Sequence, residues 1–560
     1  MVADQPLRVP VGPDADRWRT FPHDRILVAA ARTVTSTVRL LDVLRDLLRG
    51  DDRVGTVFAY DPSSAFNDGV YDLLRAAGCR IMPWEQLAAI SPDLVVSASE
   101  NITVPDGQYP VLVLPHGVGF HKSVPDSRSR RERLSGVVTD ALLESGRAWM
   151  TVSHPDQADQ LAQAHPKAAG RTLLVGDPCR DQLFASLDRR DGYRRALGLE
   201  PGRRLLVLSS TWRETSLLGQ DPGLPGRLLA ELPADTWRVA AIAHPNVWSA
   251  HGAWQLRTLQ DAAEAAGLLM VPPVRDWQAV LIAADVVIGD HGSVTLYGAA
   301  IDRPLLLGAF GADAVPGTPM AELGRTADRL DRRGALRDQV TEALAGHRPG
   351  RLTHIADRAF ACPGTALAAL RTHVYELLRL PEPAGAPPVL TYPPPRVRLT
   401  PPTALATYSG AAEAGGRVVV DVERFPAAVE NRRPETPERF RHLSCAATTS
   451  DRGLRDSASV LTAAAPAGTA VTAIRWIKDT LEAHPGSRVA AVPFAGGCLV
   501  GLRDGRVVET TATGGLTDPS LHAAVVYTLL RAGLPQGGPV TLRVGQREED
   551  VELRVRPHPR

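Results

Sequence analysis

Short apolar runs separated by amphipathic stretches dominate the first two thirds of the chain. ILVAAA (26–31), VGTVFAY (54–60), LVVSAS (94–99) and VLVLPHG (111–117) alternate with segments of helical period, the first carrying Val38, Leu41, Leu44 and Leu48. A second series follows, with RRLLVLSS (203–210), WRVAAIAHP (237–245), GLLMVPP (267–273), VVIGD (286–290) and PLLLG (304–308). Strands alternating with helices predict an α/β chain of two doubly wound, parallel-sheet (Rossmann-like) domains facing each other across a cleft. The expected boundaries are a flexible leader over 1–20, a first domain over 21–195, and a second over 196–380 with closing helices at 328–347, 353–361 and 365–379. The Pro-rich stretch 381–402 reads as an extended linker. Beyond it, 403–560 reads as a smaller α+β domain, with strands near 417–422 and helices LHAAVVYTLLRAG and VTAIRWIKDTLEA. An Asp504-Gly505 hairpin turn joins two of its apolar runs.

The densest pattern lies at 279–306, where helix, strand, polar turn, helix and strand follow in quick succession. The turn Gly289-Asp290-His291-Gly292-Ser293 ends a strand and opens a helix. Such a place offers backbone N–H groups and a positive dipole end to a phosphate, although Asp290 or Ser293 could equally be a plain helix cap.

Composition narrows the classes. Of 560 residues 44% are hydrophobic and 22% charged, with a formal charge of +1, so no global field favours nucleic acid. The five cysteines form no CxxC pair, which disfavours a disulfide framework or a zinc site and fits a reducing cytosol. No apolar run approaches the length of a membrane span, and the N-terminus lacks the pattern of a secretory signal. The expected location is cytoplasmic, with peripheral contact at the inner membrane face left open. The basic run Ser127–Leu134 reads as a solvated loop or as a contact for an anionic acceptor or headgroups.

Six polar features fall mostly at strand ends: PHG (115–117), GDPCRD (176–181), SSTWR (209–213), AHP (243–245), GDHGSV (289–294) and DRP (302–304). In this order and spacing the chain from His116 to Pro304 resembles the CDP-glycerol glycerophosphotransferases, the teichoic-acid polymerase family built on the two-domain GT-B glycosyltransferase fold. That family carries Tyr and Ser where this chain has His291 and Gly292, while Asp290 and Ser293 are kept. The segment Val118-Gly119-Phe120-His121-Lys122 is one residue longer than its family counterpart.

The resemblance implies transfer of a glycerophosphate, or a similar alcohol-phosphate or glycosyl group, from a CDP- or other nucleotide-activated donor to an acceptor hydroxyl. No cofactor and no obligatory metal are implied. His116 would take the acceptor's proton, and His244 would stabilise charge on the departing nucleotide. Thr211 and Arg213 would bind the diphosphate, while Ser293 and the N–H groups of Val294 and Thr295 receive a phosphate. Asp290 and His291 would complete the donor turn, and Gly117 and Lys122 would lie on the acceptor side. Expected partners are the nucleotide-diphosphate donor and a polyol-phosphate, glycan or lipid-linked acceptor. A protein partner for the C-terminal domain is left open. Two rival readings remain: a nucleotide-sugar epimerase or hydrolase of the same fold, for which Glu100 is the obvious cleft carboxylate, and an inactive nucleotide-binding sensor or scaffold.

Overall fold

The computed structural model describes residues 8–12, 15–125, 132–431 and 438–557. Most of the basic run (126–131) and parts of the expected leader (1–7 and 13–14) lie outside the described residues. Within the leader, Val9 and Val11 are buried against the first core and Arg8 N donates to Gln86 Oε1, so 8–11 is packed rather than flexible.

The first sheet is all parallel, in the order Ile81–Pro83, Val54–Tyr60, Arg25–Ala31, Leu94–Ser97, Val111–Val113, Ala148–Val152 and Thr172–Leu174. The second is also parallel: Leu269–Val271, Trp237–Ala243, Arg204–Ser210, Val286–Gly289, Leu305–Leu307 and Asp328–Arg329. Both place the first strand of the domain centrally and reverse beside it, which opens a crevice at the carboxyl ends where the order switches. The two crevices face each other, as in the GT-B arrangement. The central strands are buried on both faces, which explains their continuous Val, Leu, Ile and Ala runs.

The chain does not change domain where composition suggests. Helices Pro178–Ala185 and Arg190–Ala196 bury Leu183 and Tyr193 in the second core, earlier than a boundary at 195 allows. Conversely, helix Ala366–Leu378 returns to the first core, packing Leu367, Leu370 and Val374 with Leu40, Val43 and Leu47. Tyr375 donates to Asp51 Oδ2 at 2.6 Å and Arg25 Nε to the Leu378 carbonyl at 2.8 Å, which fixes that return. The helix expected at 328–347 is instead strand Asp328–Arg329 followed by helix Leu336–Ala345, because the first turn of that stretch extends the sheet.

The third domain is a closed nine-stranded barrel of mixed direction, starting at Ala404–Ala414 and closing through Phe440–Ala446. Helix Pro519–Arg531 is buried on nearly every side and packs within it, as expected of an all-round apolar helix. Arg424 ties the barrel to the second domain: its guanidinium meets Asp235 at 2.9 Å and Asp518 at 2.7 Å, and its carbonyl accepts from Ala234 N. Among the described residues no helix is long and apolar enough to cross a membrane.

Candidate functional site

A cleft of about 520 Å³ lies between the two parallel sheets. His116 and Gly117 enter from the first domain, Thr211 and His244 from the second, and Gly292 to Val294 form the start of helix Ser293–Ala300. The two sets of turns touch. Val118 N donates to Ser293 Oγ at 3.2 Å, and a Cβ added at Gly117 would stand 2.6 Å from that same oxygen. Only a glycine lets the His-Gly turn approach the helix start this closely.

The loop after that turn continues across the divide. Ser123 N donates to the Asp313 carbonyl and Val315 N to that of His121, and Lys122 Nζ reaches Thr211 Oγ1 at 2.8 Å. Lys122 belongs to a loop of the first domain, but its ammonium stands at a strand end of the second. Burial lowers its pKa, opposed by the carboxylates of Asp290 and Asp313. His121 is buried with Nδ1 on the Gly119 carbonyl, and burial brings its pKa down to about 3.

Of the histidines that line the cleft, His116 and His244 are held in opposite tautomers. His116 Nδ1 lies 3.2 Å from the Ala98 carbonyl, which can only accept, so Nδ1 carries the proton and Nε2 offers a lone pair. His244 Nδ1 accepts from Asn246 N at 3.1 Å as the cap of helix Pro245–Ala265, so the neutral ring carries its proton on Nε2. Burial, with the nearby charges of His116 and Lys122, pushes His244 well below the ordinary histidine value and keeps it neutral. One ring presents an acceptor and the other a donor.

Several expected ligands are framework instead. Asp290 is fully buried; Oδ2 accepts from Thr211 N and Leu217 N, and Oδ1 from Gly292 N. It shapes two turns of the second domain, its carboxylate taken up by backbone N–H groups. His291 is likewise buried, accepting at Nδ1 from Gly311 N, with Nε2 3.2 Å from Asp313 Oδ2. This places His291 behind the turn, not as a donor-binding group in the cleft. Thr295 has no exposure: its amide donates to the Gly292 carbonyl and its hydroxyl to Ser209 Oγ, which leaves no N–H for phosphate. Arg213 lies outside the cleft wall in left-handed backbone (φ 76°), near enough to Lys122 to help lower its pKa. Trp254, on the helix that His244 caps, is 76% exposed and does not line the cleft.

Other cleft residues carry no local motif. Glu100 and Arg133 form a 2.8 Å ion pair beside His116; burial would raise the Glu100 pKa, but Arg133 and His116 outweigh it and lower it. Trp212 stands edge-on to Phe66 of the first domain at 5.4 Å and tilted over His244 at 6.4 Å. Deeper in, Asp177 caps a helix through Cys179 N and also takes Arg39 at 3.0 Å and the Tyr297 hydroxyl at 2.6 Å. The GDPCRD turn is thus an interdomain joint, a role strengthened by Asp181, which accepts from Gly364 N and Ala366 N. Among the described residues no three His, Cys, Asp or Glu side chains are grouped to hold a metal ion.

Residues 91–314 match the family model described as CDP-glycerol:poly(glycerophosphate) glycerophosphotransferase. The matched stretch contains all six strand-end features and ends beside Asp313, so the resemblance to the glycerophosphotransferase family stands on the residues that build the cleft. Among solved structures, the chain is similar to the wall teichoic acid polymerase TagF, with 11% identity, a TM-score of 0.45, and coverage of 64% of this chain and 89% of that one. It is also similar to a Staphylococcus aureus MnaA–UDP co-structure (12% identity, TM-score 0.39, 64% of this chain and 100% of that). A UDP-GlcNAc 2-epimerase from Neisseria meningitidis bound to UDP-GlcNAc gives 11% identity, a TM-score of 0.39, and coverage of 63% and 99%. No curated protein matches the sequence.

Proposed function

We propose that this protein transfers an alcohol-phosphate group, glycerophosphate being the first candidate, from a cytidine or related nucleoside diphosphate donor to an acceptor hydroxyl. The observation that carries this reading is the meeting of both motif sets in one cleft, with His116 and His244 presenting complementary ring nitrogens. The acceptor oxygen attacks the phosphorus bearing glycerol, its proton passes to His116 Nε2, and the bond from that phosphorus to the bridging oxygen breaks. The departing CMP keeps the bridging oxygen and its charge, which His244 Nε2–H and the Lys122 ammonium stabilise. Ser293 and Val294 seat a donor phosphate at the helix start. The matched family supports the donor class, and the engagement of Glu100 by Arg133 weighs against water or proton chemistry by a free carboxylate there.

The test is CMP release from CDP-glycerol in the presence of a glycerol-phosphate acceptor, comparing wild type with His116→Ala. The expected result is turnover in wild type and a loss of about 10²–10⁴-fold in the variant. Binding without release in wild type would leave a nucleotide-binding scaffold, and release undiminished in the variant would remove His116 as base.

A further inference from the structure

The far end of the cleft is walled by residues from three separate parts of the chain. Pro272, Pro273 and Trp277 come from the second domain and Arg39 from the first, while Val389 and Tyr392 come from the stretch that leads to the barrel. That stretch contains neither helix nor strand, yet it is pinned repeatedly to the second domain. Tyr392 N donates to Ser186 Oγ at 2.9 Å, the Tyr193 hydroxyl to the Tyr392 carbonyl at 2.6 Å, and the Tyr392 hydroxyl to Cys179 Sγ at 3.4 Å. Farther on, Arg396 N donates to Asp276 Oδ2 and Leu399 N to the Leu197 carbonyl. A connection whose only task was to span two domains would need none of these bonds. An aromatic ring fixed in this way contacts a ligand at little further entropic cost.

Distance along the fold relates this wall to the phosphate seat. Tyr297 lies one helical turn beyond Ser293, about 6 Å along the axis, and its ring centroid is 5.9 Å from that of Trp277. Tyr297 and Tyr392 are joined through Asp177 and Cys179, the residues that open helix Pro178–Ala185. Tyr297, one turn beyond the seat, thus leads from the helix start to the wall that contains Trp277 and Tyr392.

We propose that Tyr392 and Val389 of the interdomain strap form the end wall of the nucleoside subsite and determine which base substituents the cleft admits. This rests on the nucleoside diphosphate reading above. The strap serves the site directly, and the third domain is covalently coupled to one wall of it.

Calorimetric titration of the full chain with CDP, with a CDP bearing a bulky base substituent, and with inorganic pyrophosphate tests the assignment. Wild type is expected to bind CDP and pyrophosphate and to exclude the extended nucleotide. Tyr392→Ala should bind CDP about ten-fold more weakly, gain the extended nucleotide, and keep wild-type affinity for pyrophosphate. Tyr392→Phe, which keeps the ring but loses the hydroxyl bond to Cys179 Sγ, should still exclude the extended nucleotide, and Val389→Ala should admit it with the strap hydrogen bonds intact. Unchanged selectivity in both alanine variants would overturn the proposal, as would equal losses of CDP and pyrophosphate. If wild type binds neither CDP nor pyrophosphate, the donor reading itself fails and the wall assignment with it.

Discussion

Lys122 Nζ lies 2.8 Å from Thr211 Oγ1, so a loop of the first domain delivers a cation to a strand end of the second. Burial taxes that charge, and Asp290 and Asp313 sustain it. An incoming diphosphate would give that ammonium a further counter-ion. Lys122→Met is therefore expected to weaken CDP binding by about 10–100-fold, the range of a lost charge-assisted hydrogen bond. Titration calorimetry at two salt concentrations checks this, and wild-type affinity in the variant would place the diphosphate elsewhere.

The tautomers predict different tolerances at the two histidines. His244 acts as an Nε2–H donor, so His244→Gln, which retains an N–H donor, should keep more turnover than His244→Ala, which should lose about 10²–10³-fold. At His116 neither change supplies a base, so Gln and Ala should be equally poor. Single-turnover rates at saturating donor decide the matter; equal defects of Gln and Ala at position 244 would remove the donor assignment.

Asp42 gives a pH signature in stability. Desolvation against the surrounding cleft wall raises the pKa of this largely exposed side chain from 3.8 to about 6, Arg39 opposing and Asp46 adding to the rise. Because the folded value lies above the unfolded one, its contribution is present in acid and is lost as pH rises through about 6. Asp42→Asn should leave stability nearly unchanged at pH 4 and raise it by only about 0.5 kcal/mol at pH 7, because solvent screens an exposed carboxylate. Urea midpoints at both pH values check the sign; a variant less stable at pH 7 than wild type contradicts it.

Arg424 is 3% exposed and holds Asp235 of the second domain together with Asp518 of the barrel. Arg424→Met strands the buried Asp235 carboxylate, while Asp518 keeps its bonds from Ser520, and is expected to cost about 3 kcal/mol. Calorimetry should then resolve barrel unfolding as a separate, earlier transition. A single transition at the wild-type temperature would show that the barrel is held by other contacts.

The sequence pattern identifies the two wound domains because buried parallel strands need unbroken apolar runs, and these end in the polar turns that build the cleft. It also brings His116, Thr211, His244, Ser293 and Val294 together in chain order. It cannot say which face of a turn looks into the cleft, and for that reason Asp290, His291 and Thr295 resemble ligands on paper and are buried supports in the fold. Arg39 and Asp177 carry no local sign of their partnership, since only the packed helices make them neighbours. The barrel is the least legible part. Strand Ala404–Ala414 is rich in alanine, a residue with little β preference, and strand Val460–Thr462 is too short to show a period.

The return of helix Ala366–Leu378 to the first core bears on how the chain is made. A ribosome releases the whole first sheet before it has translated the helix that covers it, with the entire second domain in between. At ordinary elongation speeds the apolar surface around Leu40, Val43 and Leu47 waits on the order of ten seconds or more for its cover. A chain terminated within the second domain would keep that surface exposed and would aggregate. The two halves of the cleft are therefore not separable genetic units.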